Sequence, residues 1–121
     1  METKSKIERT LEKKGVSRGG EQYLRISDAR DLIADFVEAE RVVVGIEGVE
    51  LTDEKTRPLP GAIADFSGQL DDPWSASVRQ CAERARFFLS QLPDRERVFV
   101  TLTTLSRDEW MEYRESARPD E

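Results

Sequence analysis

The chain of 121 residues has no histidine and a single cysteine, Cys81. The lack of histidine removes the commonest general base, the usual Ser-His-Asp arrangement and the commonest zinc ligand. One cysteine cannot form an internal disulfide, and without histidine it cannot form a Cys-His nucleophile pair. We therefore expect a protein that is not an enzyme, with no catalytic residue, no metal and no cofactor.

Long hydrophobic runs are absent as well. No apolar run approaches the 18 or so residues that a membrane span requires, and the first residues lead into no apolar stretch of the kind found in signal peptides. No glycine-rich phosphate loop followed by lysine is present. Together with the lone cysteine, these observations predict a cytoplasmic protein that does not enter a membrane.

Basic residues are scarce in the middle of the chain. Residues 38–72 contain nine acidic and three basic residues, so this segment has a net charge of −6, the same as the whole chain. Such a balance disfavours binding to nucleic acid, whose phosphates require cations, and favours a basic protein partner. The acidic residues of the segment are Glu38, Glu40, Glu47, Glu50, Asp53, Glu54, Asp65, Asp71 and Asp72.

Two segments rich in β-branched residues, 42–50 and 98–105, predict strands buried in a sheet. Between them lie a turn-rich stretch at 52–61, a short expected strand at 62–67 and a helix, so the two strong strands are most easily parallel neighbours joined by a right-handed crossover. We therefore predict an α/β fold: a small single-domain sandwich with a short, mainly parallel or mixed sheet flanked by helices.

The ends of the chain are expected to be less firmly attached than its body. Residues 1–20 predict an N-terminal helix capped by Thr3, followed by a flexible, glycine-rich connector at 15–20. The single α/β domain is predicted to span 21–117. Residues 118–121 are expected to form a loose tail.

Local signals predict where the two central helices begin. Ser27 is the expected N-cap of a helix over about 28–39, in which apolar residues recur at helical spacing. Asp72 is the expected N-cap of the next helix, and Pro73 its first residue.

The last helix also has a start signal. Ser106 and Glu109 have the spacing of a capping box, in which each side chain binds the backbone amide of the other residue. Trp110 and Tyr113 are expected to anchor this helix on the body of the protein.

Glu47 has the strongest individual case as a binding residue. It follows a run of core residues and lies between Gly45 and Gly48, where a strand can bulge or be approached closely. An equally weighted alternative is that these glycines only shape the strand end. For each of the other acids taken singly, a helix cap or a turn position is the favoured interpretation. The residues expected to contact a partner are Glu47, Glu50, Asp65, Asp71, Asp72 and Trp74.

The segment Val43–Leu51, followed by Ile63–Ser67 and then by an amphipathic helix and a strand, resembles small acidic immunity proteins of bacterial toxin systems. The helix after Ser27 and the passage from the Val78 helix into the Val98 strand are similar to barstar-like ribonuclease inhibitors. This resemblance implies a small α/β sandwich that blocks a cationic nuclease site with carboxylates. The inhibitory helix and loop of that family are not recognisable here, so the resemblance assigns no individual residue.

We therefore predict an acidic protein-binding module, an immunity protein or antitoxin that neutralises a basic bacterial toxin. One alternative is an enzyme or metal-binding module that uses the same carboxylates with Mg²⁺ or Ca²⁺, which would require at least three of them to converge. Another is a structural accessory protein that self-associates through its N-terminal helix. The sequence leaves the oligomeric state open.

Overall fold

The computed structural model describes residues 5–117. Within this range the elements are α1 (Lys6–Lys14), β1 (Val16–Arg18), β2 (Glu21–Arg25), α2 (Ile26–Glu38), β3 (Val42–Leu51), β4 (Thr56–Asp65), a short 3-10 turn (Ser67–Gln69), α3 (Trp74–Gln91), β5 (Val98–Leu105) and α4 (Arg107–Ala117). The predicted α/β class is confirmed. None of the helices in the described range has both the length and the hydropathy that crossing a bilayer requires.

The five strands form one sheet in the order β1-β2-β5-β3-β4, and every neighbouring pair is antiparallel. The prediction of a mainly parallel or mixed sheet is therefore wrong. The cause is β4, which begins at Thr56 inside the expected loop and returns beside β3. Because β4 and β5 both run antiparallel to β3, the α3 crossover joins two parallel strands that are separated by β3.

The main core lies between the sheet and the α2–α3 layer. Both helices place their apolar stripes on one face of the sheet, where β3 contributes Val43 and Ile46. The fully enclosed side chains of this core include Leu24, Leu32, Ile33, Ala85, Leu89, Val98 and Val100.

The opposite face of the sheet has no such helix layer. At one end it holds a small apolar cluster in which Tyr23, Val49 and Leu51 are buried and Phe99 packs against them. Tyr23 and Leu24 thus point to opposite faces, as their alternation predicts. We call this side of the sheet the open face.

A second cluster closes the other end of the sheet. The rings of Trp74 and Trp110 stack with centroids 5.2 Å apart, and Cys81 packs beside them in the same buried cluster. Burial raises the pKa of the Cys81 thiol. Trp110 thus anchors α4 as predicted, whereas Tyr113 is 63% exposed and does not.

Helix starts were predicted with mixed success. The capping box of α4 is confirmed, because the Glu109 amide donates to Ser106 Oγ (3.1 Å) and the Ser106 amide donates to Glu109 Oε1 (2.9 Å). Ser27 is not an N-cap, since α2 already begins at Ile26, directly after β2. Asp72 is not one either, because Pro73 occupies the N-cap position of α3.

The N-terminal part is more regular than its glycines predict. Residues 16–18 form β1, and Gly19 and Gly20 adopt positive φ angles of 61° and 83° in the turn that leads to β2. Ser5 caps α1 by accepting from the Glu8 amide; Thr3 and residues 118–121 lie outside the described range.

We predict that Trp110→Ala will destabilise the protein by about 3–5 kcal/mol, because it removes a buried ring that stacks on Trp74. Tyr113→Ala is the matched control on the same helix and should change the free energy of unfolding by less than about 0.5 kcal/mol. Urea denaturation measures both. Equal losses in the two variants would contradict this account of how α4 is held.

Candidate functional site

The open face contains a cleft of about 450 Å³, which we call the open-face cleft. Its floor is formed by β3 and β5, with β4 and the turn after it on one side and α4 at one end. Its lining residues include Glu21, Gly45, Glu47, Ile63, Asp65, Ser67, Leu70, Thr101, Thr103, Trp110 and Tyr113.

Strand pairing determines which side chains form the first row on the floor of the cleft. Glu47 lies directly across from Thr101 of β5 on one side and from Ile63 of β4 on the other. Directly opposed residues on adjacent strands project their side chains from the same face of a sheet. Thr101, Glu47 and Ile63 therefore stand side by side on the open face.

The second row follows two residues along each strand. Gly45 lies between Thr103 of β5 and Asp65 of β4. A Cβ atom at Gly45 would come within 3.6 Å of the Thr103 Cβ, so the missing side chain leaves the space between Thr103 and Asp65 empty. The glycine thus leaves the floor of the cleft deeper beside Asp65, the acid that lies across from it on β4.

The open-face cleft is negatively charged. Glu21, Glu47 and Asp65 line it, and none of its lining residues is lysine or arginine. Thr101 Oγ1 donates to Glu21 at 3.4 Å. Glu47 is half-buried and, within residues 5–117, its carboxylate forms no hydrogen bond or ion pair.

Asp65 is held in a fixed orientation by its neighbour. The amide and the hydroxyl of Ser67 both donate to Asp65 Oδ1, at 2.8 and 2.6 Å. The side-chain hydrogen bond, followed by the backbone one, lowers the pKa of Asp65 below its usual value of 3.8. The carboxylate of Asp65 is therefore ionised at neutral pH.

Apolar side chains border the acids. Ile63 is 68% exposed and Tyr113 is 63% exposed, and both line the cleft together with Leu70 and the edge of Trp110. Exposed large hydrophobic residues beside a concave charged surface are typical of interaction sites. The arrangement can therefore bind a group that combines positive charge with an apolar stem or ring.

Of the six residues predicted to contact a partner, the structure brings Glu47 and Asp65 into the cleft. Glu50 lies three residues beyond Glu47 on the same strand and faces the other side of the sheet, as alternation predicts. Its cross-strand neighbours are Arg57 and Val98. Glu50 thus cannot act together with Glu47 on one partner group.

The remaining three lie where the chain enters α3, outside the lining of the cleft. Arg107 donates to both carboxylate oxygens of Asp72, at 3.1 and 2.9 Å, while Asp71 Oδ1 accepts from the Asp72 amide. Trp74 is only 8% exposed and donates from Nε1 to the carbonyl of Glu40 at 2.8 Å. Trp74, which is predicted to contact a partner, thus lies in the buried cluster and does not line the cleft.

Sequence reasoning missed Glu21, Thr101, Thr103 and Tyr113. A signal for the two threonines was present. Residues 98, 100 and 102 are apolar and share one face of the strand, and Thr101 and Thr103 are polar residues of the other face. Glu21 had no such signal, since its position depends on where β2 lies beside β5.

The described residues hold no group of three or more histidine, cysteine or acidic side chains placed to bind a metal ion. The alternative of a metal-dependent enzyme or metal-binding module therefore gains no support from this part of the chain.

We predict that Asp72→Asn will lower stability at neutral pH, because it weakens the contact with Arg107 that joins the start of α3 to α4. The hydrogen bond from Arg107 holds the pKa of folded Asp72 below its usual value of 3.8. The stabilisation is thus complete above the unfolded pKa and is lost as pH falls through the folded pKa.

Denaturation of both proteins between about pH 2 and pH 7 checks this. The difference should disappear at the acid end, and Asp53→Asn, in an exposed turn, should show none at any pH. A difference that persists unchanged in acid would show that the Arg107 contact is not its cause.

Comparisons with protein-family models, with curated proteins and with solved structures gave no match for this chain. The resemblance to acidic immunity proteins therefore stays a prediction.

Proposed function

We propose that this chain is an acidic protein-binding module whose open-face cleft receives basic side chains of a partner protein. In its specific form, the proposal is an immunity protein or antitoxin that neutralises a basic bacterial toxin, such as a nuclease, in the cytoplasm. The observation that supports it is a concave face lined by three carboxylates and no cation, bordered by exposed Ile63 and Tyr113.

Glu47 is the residue best placed to bind the incoming cation. Because it forms no ion pair within the described chain, a partner's guanidinium or ammonium group displaces no internal contact when it binds. Asp65 is already held by Ser67 and loses little conformational freedom on binding. Both features reduce the free-energy cost of forming the complex.

The exposed ring of Tyr113 at the border of the cleft suits an arginine of the partner in particular. A guanidinium group stacks on aromatic faces and donates in several directions, so it can contact Tyr113 while it binds acidic and hydroxyl oxygens on the floor. The chain makes this type of contact internally, where Arg114 lies 4.9 Å from the centre of the Trp110 ring and Arg25 lies 5.3 Å from that of Phe99.

The acidic segment 38–72 acts at longer range. Its net charge of −6 attracts a basic partner before contact and raises the association rate by about 10- to 1,000-fold at low salt. The residues outside the cleft, Asp71 and Asp72 among them, contribute to this field without touching the bound side chain. Binding by this mechanism requires no catalytic group, metal or cofactor.

We predict that Glu47→Lys will weaken binding of a basic ligand by about tenfold or more, because it reverses the charge at the centre of the cleft. Glu50→Lys is the matched control: it makes the same charge change on the same strand but on the other face. An octa-arginine peptide can serve as the probe in calorimetric titrations at low salt.

Amide NMR shifts locate the bound peptide. Shifts should concentrate at 45–47, 63–65 and 101–103, and both the shifts and the heat should diminish at high salt. Equal weakening by Glu47→Lys and Glu50→Lys, or shifts centred on the helix layer, would contradict the proposed site. Unchanged far-UV circular dichroism excludes unfolding as the cause.

A further inference from the structure

A second charged surface lies on the outer side of α3. Phe87 is 68% exposed there, and the exposed arginines of the same helix are Arg79, Arg84 and Arg86. We call these four residues the α3 patch. Phe87 is nine residues after the buried Val78. At about 100° per residue, this places the two side chains on opposite sides of the helix, so Phe87 faces solvent.

Nothing in the described fold uses this patch. Within residues 5–117, none of its three arginines forms an ion pair, and Glu83 is the only acid on the exposed side of α3. Phenylalanine is usually buried in the core of a protein, but at this exposed position of α3 its ring is not. Phe87 therefore gains little stability from burial in its own fold, and the three arginines gain none from ion pairs within residues 5–117.

We propose that the α3 patch of one copy docks into the open-face cleft of a second copy. The charges are complementary, because the outer side of α3 has three arginines and one acid, Glu83, whereas the lining of the cleft has three carboxylates and no cation. The shapes are complementary as well: Phe87 projects from a convex helix, and the cleft is concave with apolar Ile63, Leu70 and Tyr113 at its border.

The contact is head to tail. Within one copy, α3 covers one face of the sheet and the cleft opens on the other, so the two surfaces point in opposite directions. Each bound pair then has one free cleft and one free patch, and association continues into an open chain. A single helix face is a small interface, so the association should be weak and should depend on concentration and salt.

This inference goes beyond the proposed function, although it uses the same cleft. A second copy and a basic partner would compete for Glu47, so self-association would mask the cleft when the protein is concentrated and no partner is present. The α3 patch would then act as an internal substitute for the partner's basic surface.

Sedimentation velocity of the full chain over a range of concentrations tests the proposal. At low salt, the average sedimentation coefficient should rise with concentration, and at about 0.5 M salt the rise should be lost. Arg84→Glu with Arg86→Glu should abolish it. Arg9→Glu with Lys13→Glu, which makes the same charge change on exposed positions of α1, should leave it unchanged.

A mixing experiment tests the head-to-tail geometry. The Arg84→Glu, Arg86→Glu variant keeps an intact cleft, and a Glu47→Arg variant keeps an intact patch. Each alone should remain monomeric, whereas the mixture should form a dimer and nothing larger, since only one productive pair of surfaces remains.

A monomer at every concentration in low salt would overturn the proposal. Association that survives the α3 double substitution but is lost in the α1 double substitution would overturn it too, and would assign self-association to the N-terminal helix. Octa-arginine binding to the Arg84→Glu, Arg86→Glu variant reports on the cleft alone, so failure of this inference is distinguishable from failure of the proposed function.

Discussion

The pairing of β3 with β5 on one side and β4 on the other determines both the core and the cleft. It directs Val43 and Ile46 toward the helices and places Glu47 between Thr101 and Ile63 on the open face. Because alternate residues of a strand face opposite sides, one register fixes both results. A slip of one residue would bury the carboxylate and expose the core, so core packing itself holds the acid in position.

The cleft also depends on contacts outside the sheet. Stacking of Trp74 on Trp110 holds α4 against the end of the sheet, which brings Tyr113, one helical turn later, to the cleft. Arg107 reinforces this position through Asp72. The exposed Tyr113 of the cleft is thus positioned by a buried aromatic pair, and Asp72, near the start of α3, takes part in an internal contact with Arg107.

The sequence predicted the elements better than their connections, and the reasons are physical. Runs of β-branched residues and helical spacing identified β3, β5, α2 and α3, since burial of those side chains decides them locally. It did not predict all of β4, because Pro58 and Pro60 read as loop signals; an edge strand tolerates proline, whose missing amide faces no partner. Because β4 was not predicted in full, the sheet was predicted to be mainly parallel or mixed, whereas it is antiparallel. Glu21 in the cleft was equally hidden, because only tertiary pairing brings it there.

Net charge along the chain is therefore a poor guide to charge on a surface. Of the acids in 38–72, Glu47 and Asp65 share one cleft, Glu50 faces the other side and Asp72 is paired with Arg107. Of these four acids, only Glu47 and Asp65 line the cleft beside the exposed Ile63 and Tyr113. In the proposed function, long-range attraction depends on the whole segment, whereas tight recognition depends on the cleft, whose lining includes no lysine or arginine. Glu47 and Asp65 contribute to both effects and the other acids of the segment to attraction alone, and for that reason the effects of charge reversal should depend on which face carries the change.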